Sequence, residues 1–462
     1  MPIITRKIEL KPDIDGLSNE ESKNKCYELL RELDNTIYKA ANLLVGQMFG
    51  MEEFVTMMRL QNDEYVTICK QMKLKKTTED QRKQLKVRLD EIDAQINVQR
   101  QEMAPKGMRT FAGRAVKRSE YANSVPGEIL ECLKEVVFRH YSDVTKERRK
   151  GERTLSTYKK GMPIPFRFWG AQRLVQSEDK FYLQWYNGTR FLLDFGKDRS
   201  NNKLIVQRCL GIAEDEISYK TMSSLQLKKN KIFLLLNVEI PKTKFSPIEG
   251  KVMGVDLGIV WPAYVAVNNG PEHEHIGDGK NIQNMRNMFW RRFRELQRCQ
   301  LTQEGHGRKH RTKALEHLHE KERNWIKTEN HRISHRIVEL AKRWQVETIQ
   351  MENLKGFGKD KNGNVDDQHK RVLERWSYFE LQKDVEYKAD IAGIKVRYVN
   401  PAYTSLRCSK CGKVGVRPER ELFFCTNVEC DCYNRSIKAD ENAARNIAKS
   451  NDIIENKDNV EN

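Results

Sequence analysis

A chain of 462 residues has room for two to four domains and a substantial core. It carries 83 Lys and Arg against 65 Asp and Glu, a net charge of +18, and that balance favours a polyanionic partner such as nucleic acid. The opening MPIITRKIELKP holds no apolar signal core, and the longest apolar run, Ile232 to Leu236, is far too short for a bilayer; a soluble, cytoplasmic protein with no membrane partner is expected.

Ile3 to Leu10 reads as a strand able to join a β region further on. Residues from about 20 to 150 read as helical. Leu29, Leu33, Ile37, Ala41 and Leu44 recur at helix spacing, as do Leu85, Leu89, Ile92 and Ile96, with charge on the opposite faces. No catalytic constellation falls in this stretch, which suits packing or docking.

Pro163 and Pro165 mark a change of texture. Phe181–Tyr186 and Thr189–Phe195 flank Asn187-Gly188, a hairpin signal because both turn positions need positive φ. Ile232–Ile240 is a third strand. Residues from about 160 to 245 are therefore mostly β, and a small barrel is expected. From about 248 the pattern turns mixed: strands Val252–Asp256 and Tyr264–Val267, a charged helical stretch from 281 to 344, strand Glu347–Met351, a polar loop 356–368, a helix 371–392 and strand Ile394–Val399. A cysteine cluster occupies 404–432, a last helix starts at Glu441, and the polar tail after 450 is expected to fray.

Asp256 closes an apolar strand in Gly-Val-Asp-Leu-Gly, where a carboxylate is costly unless paired or bound to a cation. Gly254 and Gly258 leave room for another backbone or a phosphate. Glu352 ends a second strand, and Asp440 sits where a helix begins. Alone, each has an ordinary reading as a turn, surface or capping acid. Together, two strand-end acids and one helix-start acid can meet and hold two divalent ions about 3.5–4 Å apart. Oxygen ligands suit Mg²⁺, with Mn²⁺ as a substitute.

Of ten cysteines, Cys26, Cys69, Cys132, Cys209 and Cys299 are scattered singly and read as small hydrophobes. Cys408-Ser-Lys-Cys411, with Gly412 behind it, is a knuckle, and Cys425, Cys430 and Cys432 follow. Four thiolates in two knuckles make one structural zinc site. The second knuckle is Cys425–Cys430 or Cys425–Cys432; the shorter loop favours Cys430.

The segment Met285 to Arg298 is amphipathic: Met285, Phe289, Phe293 and Leu296 can share one face, while Arg286, Arg291, Arg294 and Arg298 lie mostly elsewhere. Arg308 and Lys309 sit in a glycine-rich basic loop. Lys146, Arg148, Arg149, Lys150 and Arg153 form another cluster, with Lys159 and Lys160 nearby. Each alone is an ordinary solvated face; together they suit a groove that tracks phosphates. His317 and His319 lack ligand spacing and read as surface residues.

Gly254-Val-Asp-Leu-Gly258, Gln350-Met-Glu-Asn-Leu354, Tyr403-Thr-Ser-Leu-Arg-Cys-Ser-Lys-Cys-Gly412 and Ala439-Asp-Glu-Asn-Ala-Ala-Arg-Asn-Ile447 together are similar to the miniature type V CRISPR effectors and to their transposon-encoded relatives, the TnpB proteins. The likeness covers about 250–448 by motif. Ser156-Thr-Tyr-Lys-Lys160 and the His-Gly-Arg-Lys loop resemble the type V-F subgroup. The resemblance implies a multidomain α+β chain. Residues 1–20 would give the first strand of a wedge β-barrel, 21–160 a helical recognition domain and 161–247 the rest of the wedge. Residues 248–403 would form a RuvC (RNase H-like α/β) nuclease domain. A zinc-ribbon target-nucleic-acid-binding domain (404–435), the final RuvC helix (436–450) and a flexible tail (451–462) would follow.

The resemblance further implies a guide RNA, target DNA beside a T-rich motif, one site cutting both strands and then other single-stranded DNA, and two protein copies on one guide. An arginine near the zinc domain often assists in this family, and Arg417 is the nearest match. The long second knuckle departs from the common CxxC pattern and puts only the fourth ligand in doubt. The expectation is thus a guide-RNA-programmed DNA endonuclease of antiviral defence, with a TnpB-like transposon nuclease, a nuclease-inactive DNA-binding regulator and a guide-free junction resolvase as alternatives. The long helical segment before residue 150 favours the CRISPR reading over TnpB.

Overall fold

The computed structural model describes residues 2–353 and 378–454, except positions 73, 75–77, 152, 171, 199, 214, 220–221, 243–244, 259, 303–307 and 420, and except the side chains of 300–312 and 454. The chain divides into two compact units, Ile3–Ile240 and the part from Pro241 onward.

The first unit opens with β1 (Ile3–Pro12) and continues through α1 (Asn19–Gln61), α2 (Asp63–Met72), α3 (Glu79–Met103), α4 (Met108–Lys117), α5 (Gly127–Asp143) and α6 (Thr145–Arg149). Ser18 and Glu21 form a reciprocal capping box that starts α1. Its stripe Leu30, Leu33, Ile37, Ala41, Leu44 and Met48 is buried, so packing rather than propensity holds this long helix. Ile92 and Ile96 of α3 are buried, with Leu85 and Leu89 packed beside them.

There follow β2 (Ile164–Phe166), β3 (Arg173–Ser177), β4 (Lys180–Gln184), β5 (Arg190–Asp194), α7 (Asn202–Cys209), β6 (Ser223–Lys228) and β7 (Lys231–Glu239). They form one antiparallel sheet in the order β2-β6-β7-β1-β5-β4-β3. The N-terminal strand is central: Ile3 to Leu10 pairs residue by residue with Glu239 to Ile232. Along β7, Ile232, Leu234, Leu236 and Val238 are buried at period two. Asn187 (φ 53°) and Gly188 (φ 66°) make the turn between β4 and β5.

The expected barrel is not what forms. The sheet is open, with β2 and β3 as its two edges. A barrel needs its first and last strands to pair. Here β2 is three residues long and centred on Pro165, which has no amide hydrogen to offer a further strand.

The second unit contains β8 (Ile248–Asp256), β9 (Ala263–Val267), β10 (His273–Ile276), α8 (Gly279–Thr302), α9 (Arg308–Arg343), β11 (Val346–Glu352), α10 (Tyr378–Ala392), β12 (Lys395–Val399), β13 (Val416–Glu419), β14 (Leu422–Phe424), β15 (Ser436–Lys438), α11 (Ala439–Lys449) and β16 (Ile453–Ile454). The main sheet runs β10-β9-β8-β11-β12-β16, and β13-β14-β15 form a separate small one. The strands β8, β11 and β12 are parallel and the others antiparallel. Met253, Val255, Ile349 and Met351 lie in a core shared with Ile333, Ile337 and Leu340 of α9 and Leu381, Val385 and Ala389 of α10.

The last helix begins two residues before the expected Glu441, at Ala439. Of the tail expected to fray after 450, the described residues include β16, which pairs Ile453 with Val399 and Ile454 with Tyr398, while 455–462 lie outside the described residues. The expected loop 356–368, the first part of the helix 371–392, Leu354 and the side chains of Arg308 and Lys309 lie outside the described residues. Among the described residues no helix is long and apolar enough to cross a membrane.

Candidate active site and metal centre

Adjacent parallel strands bring two of the acids together. Met351 of β11 is in register with Val255 of β8, so Asp256 and Glu352, one residue further on, leave the sheet side by side at its carboxyl edge. The third acid arrives on α11, which packs across β8, β9 and β11 and carries Asp440 in its first turn.

The electrostatics report the same convergence. Burial pushes the Asp256 carboxyl well above the ordinary range, the like charges of Glu352 and Asp440 push it further, and the Arg417 guanidinium opposes them. Burial also raises Glu352, against the hydroxyl of Thr404, and raises Asp440, against Arg417. Three half-buried carboxylates, with Glu352 and Asp440 in electrostatic reach of Asp256 and one guanidinium opposing, offer hard oxygens of the kind that take Mg²⁺ or Mn²⁺, although among the described residues only four cysteines bring their ligand atoms within 4.8 Å of one another. The expected Arg417 projects from β13 of the small sheet into electrostatic reach of Asp256 and Asp440.

Residues around these acids were not singled out by their spacing. The Thr404 hydroxyl donates to Glu352 Oε1, and the Gln382 side-chain amide donates to the Glu352 carbonyl at 2.7 Å. On α11, Asn442 Oδ1 accepts from the Ser409 N–H at 2.8 Å, and its amide donates to Arg407 O at 2.7 Å. Asn446 donates to Thr404 O and Arg407 O, and Lys449 to Ser409 O. The only sequence signal for Thr404, Asn442 and Asn446 was membership of the quoted motifs.

Cys408, Cys411, Cys425 and Cys430 place their sulphurs within 4.8 Å of one another. The Cys411–Cys425 and Cys408–Cys430 separations are 3.6 and 3.9 Å. A tetrahedron with Zn–S bonds of about 2.3 Å has edges of roughly 3.8 Å, so the four sulphurs fit zinc. Burial works against ionising Cys411, but the Lys413 N–H and the neighbouring thiols outweigh it and bring the thiol to about 7. Cys432 stands outside this group and donates its backbone N–H to Cys430 Sγ at 3.5 Å. Gly412 follows the first knuckle at φ 72°, the left-handed backbone that glycine adopts freely.

The basic residues divide. Lys146, Arg149, Lys150, Arg153, Lys159, Lys160, Arg291, Arg294 and Arg298 are exposed. Arg148 is not an open phosphate contact: its side chain is 9 % exposed, pairs with Glu52 and lies over the Tyr141 ring. Arg286 likewise leaves the expected exposed face. It is 6 % exposed and lines a cavity of about 610 Å³ with Phe289, Trp290 and Phe293. Of the four apolar residues expected to share one face of α8, Phe289 is buried and Met285, Phe293 and Leu296 are half-buried. Among the single cysteines, Cys26, Cys132 and Cys209 are buried, whereas Cys299 is exposed.

A family profile described as "Cas12f1-like, TNB domain" matches residues 378–447, and one described as "Probable transposase" matches 236–357. The CRISPR-associated endodeoxyribonuclease Cas12f1 of Sulfoacidibacillus thermotolerans is 36 % identical over 361 residues, covering 74 % of this chain and 80 % of that one. The protein of the same name from Syntrophomonas palmitatica is 32 % identical, covering 72 % and 68 %. A TnpB-like protein of Methanocaldococcus jannaschii is 33 % identical over 124 residues, 27 % of this chain and 42 % of that one. The solved structure of a Cas12f1–sgRNA–target DNA complex has the same fold, with a TM-score of 0.63 at 17 % identity over 98 % of this chain and 99 % of that one. With that identity over most of both chains, this chain belongs to the Cas12f1 family of CRISPR-associated endodeoxyribonucleases.

Proposed function

We propose that this protein is a guide-RNA-programmed, Mg²⁺-dependent DNA endonuclease that cuts double-stranded target DNA through a single RuvC-type site of Asp256, Glu352 and Asp440, assisted by Arg417. The observation that carries the reading is the convergence of two strand-end acids and a helix-start acid whose carboxyls are all raised by burial, Asp256 also by its two neighbours. Asp256, Glu352 and Asp440 would hold two Mg²⁺ ions, with Mn²⁺ as a substitute. Such a pair, when bound, activates water and neutralises charge on the attacked phosphate. Arg417 adds positive charge beside Asp256 and Asp440, where that phosphate has to sit.

Cys408, Cys411, Cys425 and Cys430 would hold one structural zinc, keeping the ribbon that carries Arg417 in shape. The exposed cations of α8 and of residues 146–160 suit phosphate tracking along guide RNA and target DNA. The unit Ile3–Ile240 would serve as the recognition and wedge region, and the second unit as the nuclease with its target-nucleic-acid-binding ribbon. Base pairing to the guide reads the target, and the protein reads a short T-rich motif beside it. Two copies on one guide RNA, and cutting of other single-stranded DNA after activation, complete the reading. A non-cleaving regulator would leave the three crowded acids without a role.

The test is cleavage of a motif-bearing plasmid with purified protein, guide RNA and Mg²⁺. Asp256→Ala, Glu352→Ala and Asp440→Ala should each abolish cutting while leaving guided binding intact. Cutting retained by any one of them removes that residue from the site.

A further inference from the structure

We propose that Thr404 is a positioning residue for Glu352, set in place by Asn446 on the helix that also carries Asp440. The inference rests on the reading of the three acids as one cation-holding site.

Thr404 is 7 % exposed, and its hydroxyl, with one hydrogen to give, lies against Glu352 Oε1 and, at 3.1 Å, the Pro401 carbonyl, the contact to Glu352 being the closer. A single neutral donor on one carboxylate oxygen fixes the side-chain rotamer and leaves the other oxygen's lone pairs for a cation. The Thr404 backbone is in turn fixed by α11. The Asn446 amide donates to Thr404 O at 2.8 Å and to Arg407 O at 2.7 Å. Asn442 grips Ser409 N and Arg407 O, and Lys449 Nζ donates to Ser409 O at 2.7 Å. Positions 442, 446 and 449 follow the i, i+4, i+7 spacing of one helix face, so a single face of α11 clasps the whole segment 404–409. That segment reaches Glu352 at one end and contains Cys408 at the other. Helix and segment thus fix Glu352 relative to Asp440, two acids from distant parts of the chain.

A lost partner of a metal-holding side chain weakens cation binding or activity by about 10–100-fold. The near-isosteric Thr404→Val, assembled with guide RNA and target, should raise the half-saturating Mn²⁺ concentration by about that factor, measured both by electron paramagnetic resonance and by cleavage. At saturating Mn²⁺ its cutting rate should return close to that of the unaltered protein. Thr404→Ser, which keeps the hydroxyl, should behave as the unaltered protein, and Asn446→Ala should reproduce the shift of Thr404→Val. Zinc content and melting temperature, read in parallel, should not move for the two Thr404 variants. The proposal is overturned if Thr404→Val binds Mn²⁺ normally, or melts lower with no change in Mn²⁺ binding, while Asp256→Ala is inactive. If Asp256→Ala still cuts, the reading of the acid site is what fails.

Discussion

Gly254 of β8 faces the Ala444 carbonyl of α11 so closely that a Cβ on Gly254 would stand 2.0 Å from that oxygen and 2.5 Å from the Ala448 nitrogen. Both are backbone atoms inside a helix, so no side-chain rotation can relieve the clash. Gly254→Ala should therefore displace α11, lowering stability by about 3 kcal/mol and cutting cleavage far more than guide binding. Thermal melts and parallel cleavage and binding assays check this. A variant that melts and cuts normally would mean that the helix does not lie against the strand.

The acid cluster predicts a pH dependence. Asp256, Glu352 and Asp440 are all raised in the fold above their ordinary values. A raised carboxyl stabilises the fold while protonated. The contribution is complete below about pH 4 and is lost as pH climbs through the raised values. In EDTA, the melting temperature of the unaltered protein relative to Asp256→Asn should fall as pH goes from about 4 towards neutrality. Adding Mg²⁺ should reverse the fall. A flat difference between the two proteins would mean that neither burial nor the neighbouring acids raise the Asp256 carboxyl.

The two registers of the second knuckle separate by metal content. Elemental analysis should find about one zinc per chain. Cys430→Ser should lose it, because its sulphur stands with the other three, whereas Cys432→Ser should keep it, because Cys432 offers Cys430 its backbone N–H. Zinc retained in Cys430→Ser would reassign the fourth ligand.

Arg148 and the exposed cations beside it should respond differently to substitution. Glu52 accepts from Arg148, from Arg149 at 2.6 Å and from Tyr141 at 2.6 Å. Arg148→Ala strands part of that carboxylate and should cost about 3 kcal/mol of stability, read by denaturant melts, with little change in the salt dependence of nucleic-acid binding. Charge reversal at Lys159 and Lys160 should lower affinity and flatten its dependence on salt, without loss of stability. Equal salt slopes in all these proteins would move the phosphate-binding surface elsewhere.

What the sequence disclosed and what it hid follow from range. Asp256 and Glu352 end apolar runs, and such runs announce buried strands locally, as Asn187-Gly188 announces its turn. The pairing of Arg148 with Glu52 is 96 residues long, and that of Thr404 with Glu352 spans 52. No local periodicity carries such information, so Arg148 read as one more surface cation and Thr404 as motif filler. Strand content was legible but closure was not, because closure depends on whether two edges meet, and a short edge holding Pro165 offers no donor there. Arg286 was placed by the face of an isolated helix, whereas its burial depends on packing that the helix alone does not reveal.

The three acids come from segments made at very different times during synthesis. A ribosome that has released the chain through Cys430 has already exposed Asp256, Glu352 and the four clustered cysteines, but the helix that lies on Gly254 does not yet exist. The growing polypeptide then lacks the third of the carboxylates proposed to hold the cations. On the proposed assignment, any product of interrupted translation or of cleavage before Asp440 lacks the third acid and would not cut. Cutting then waits for a helix that the chain makes after both strand acids, so the order of synthesis itself withholds it.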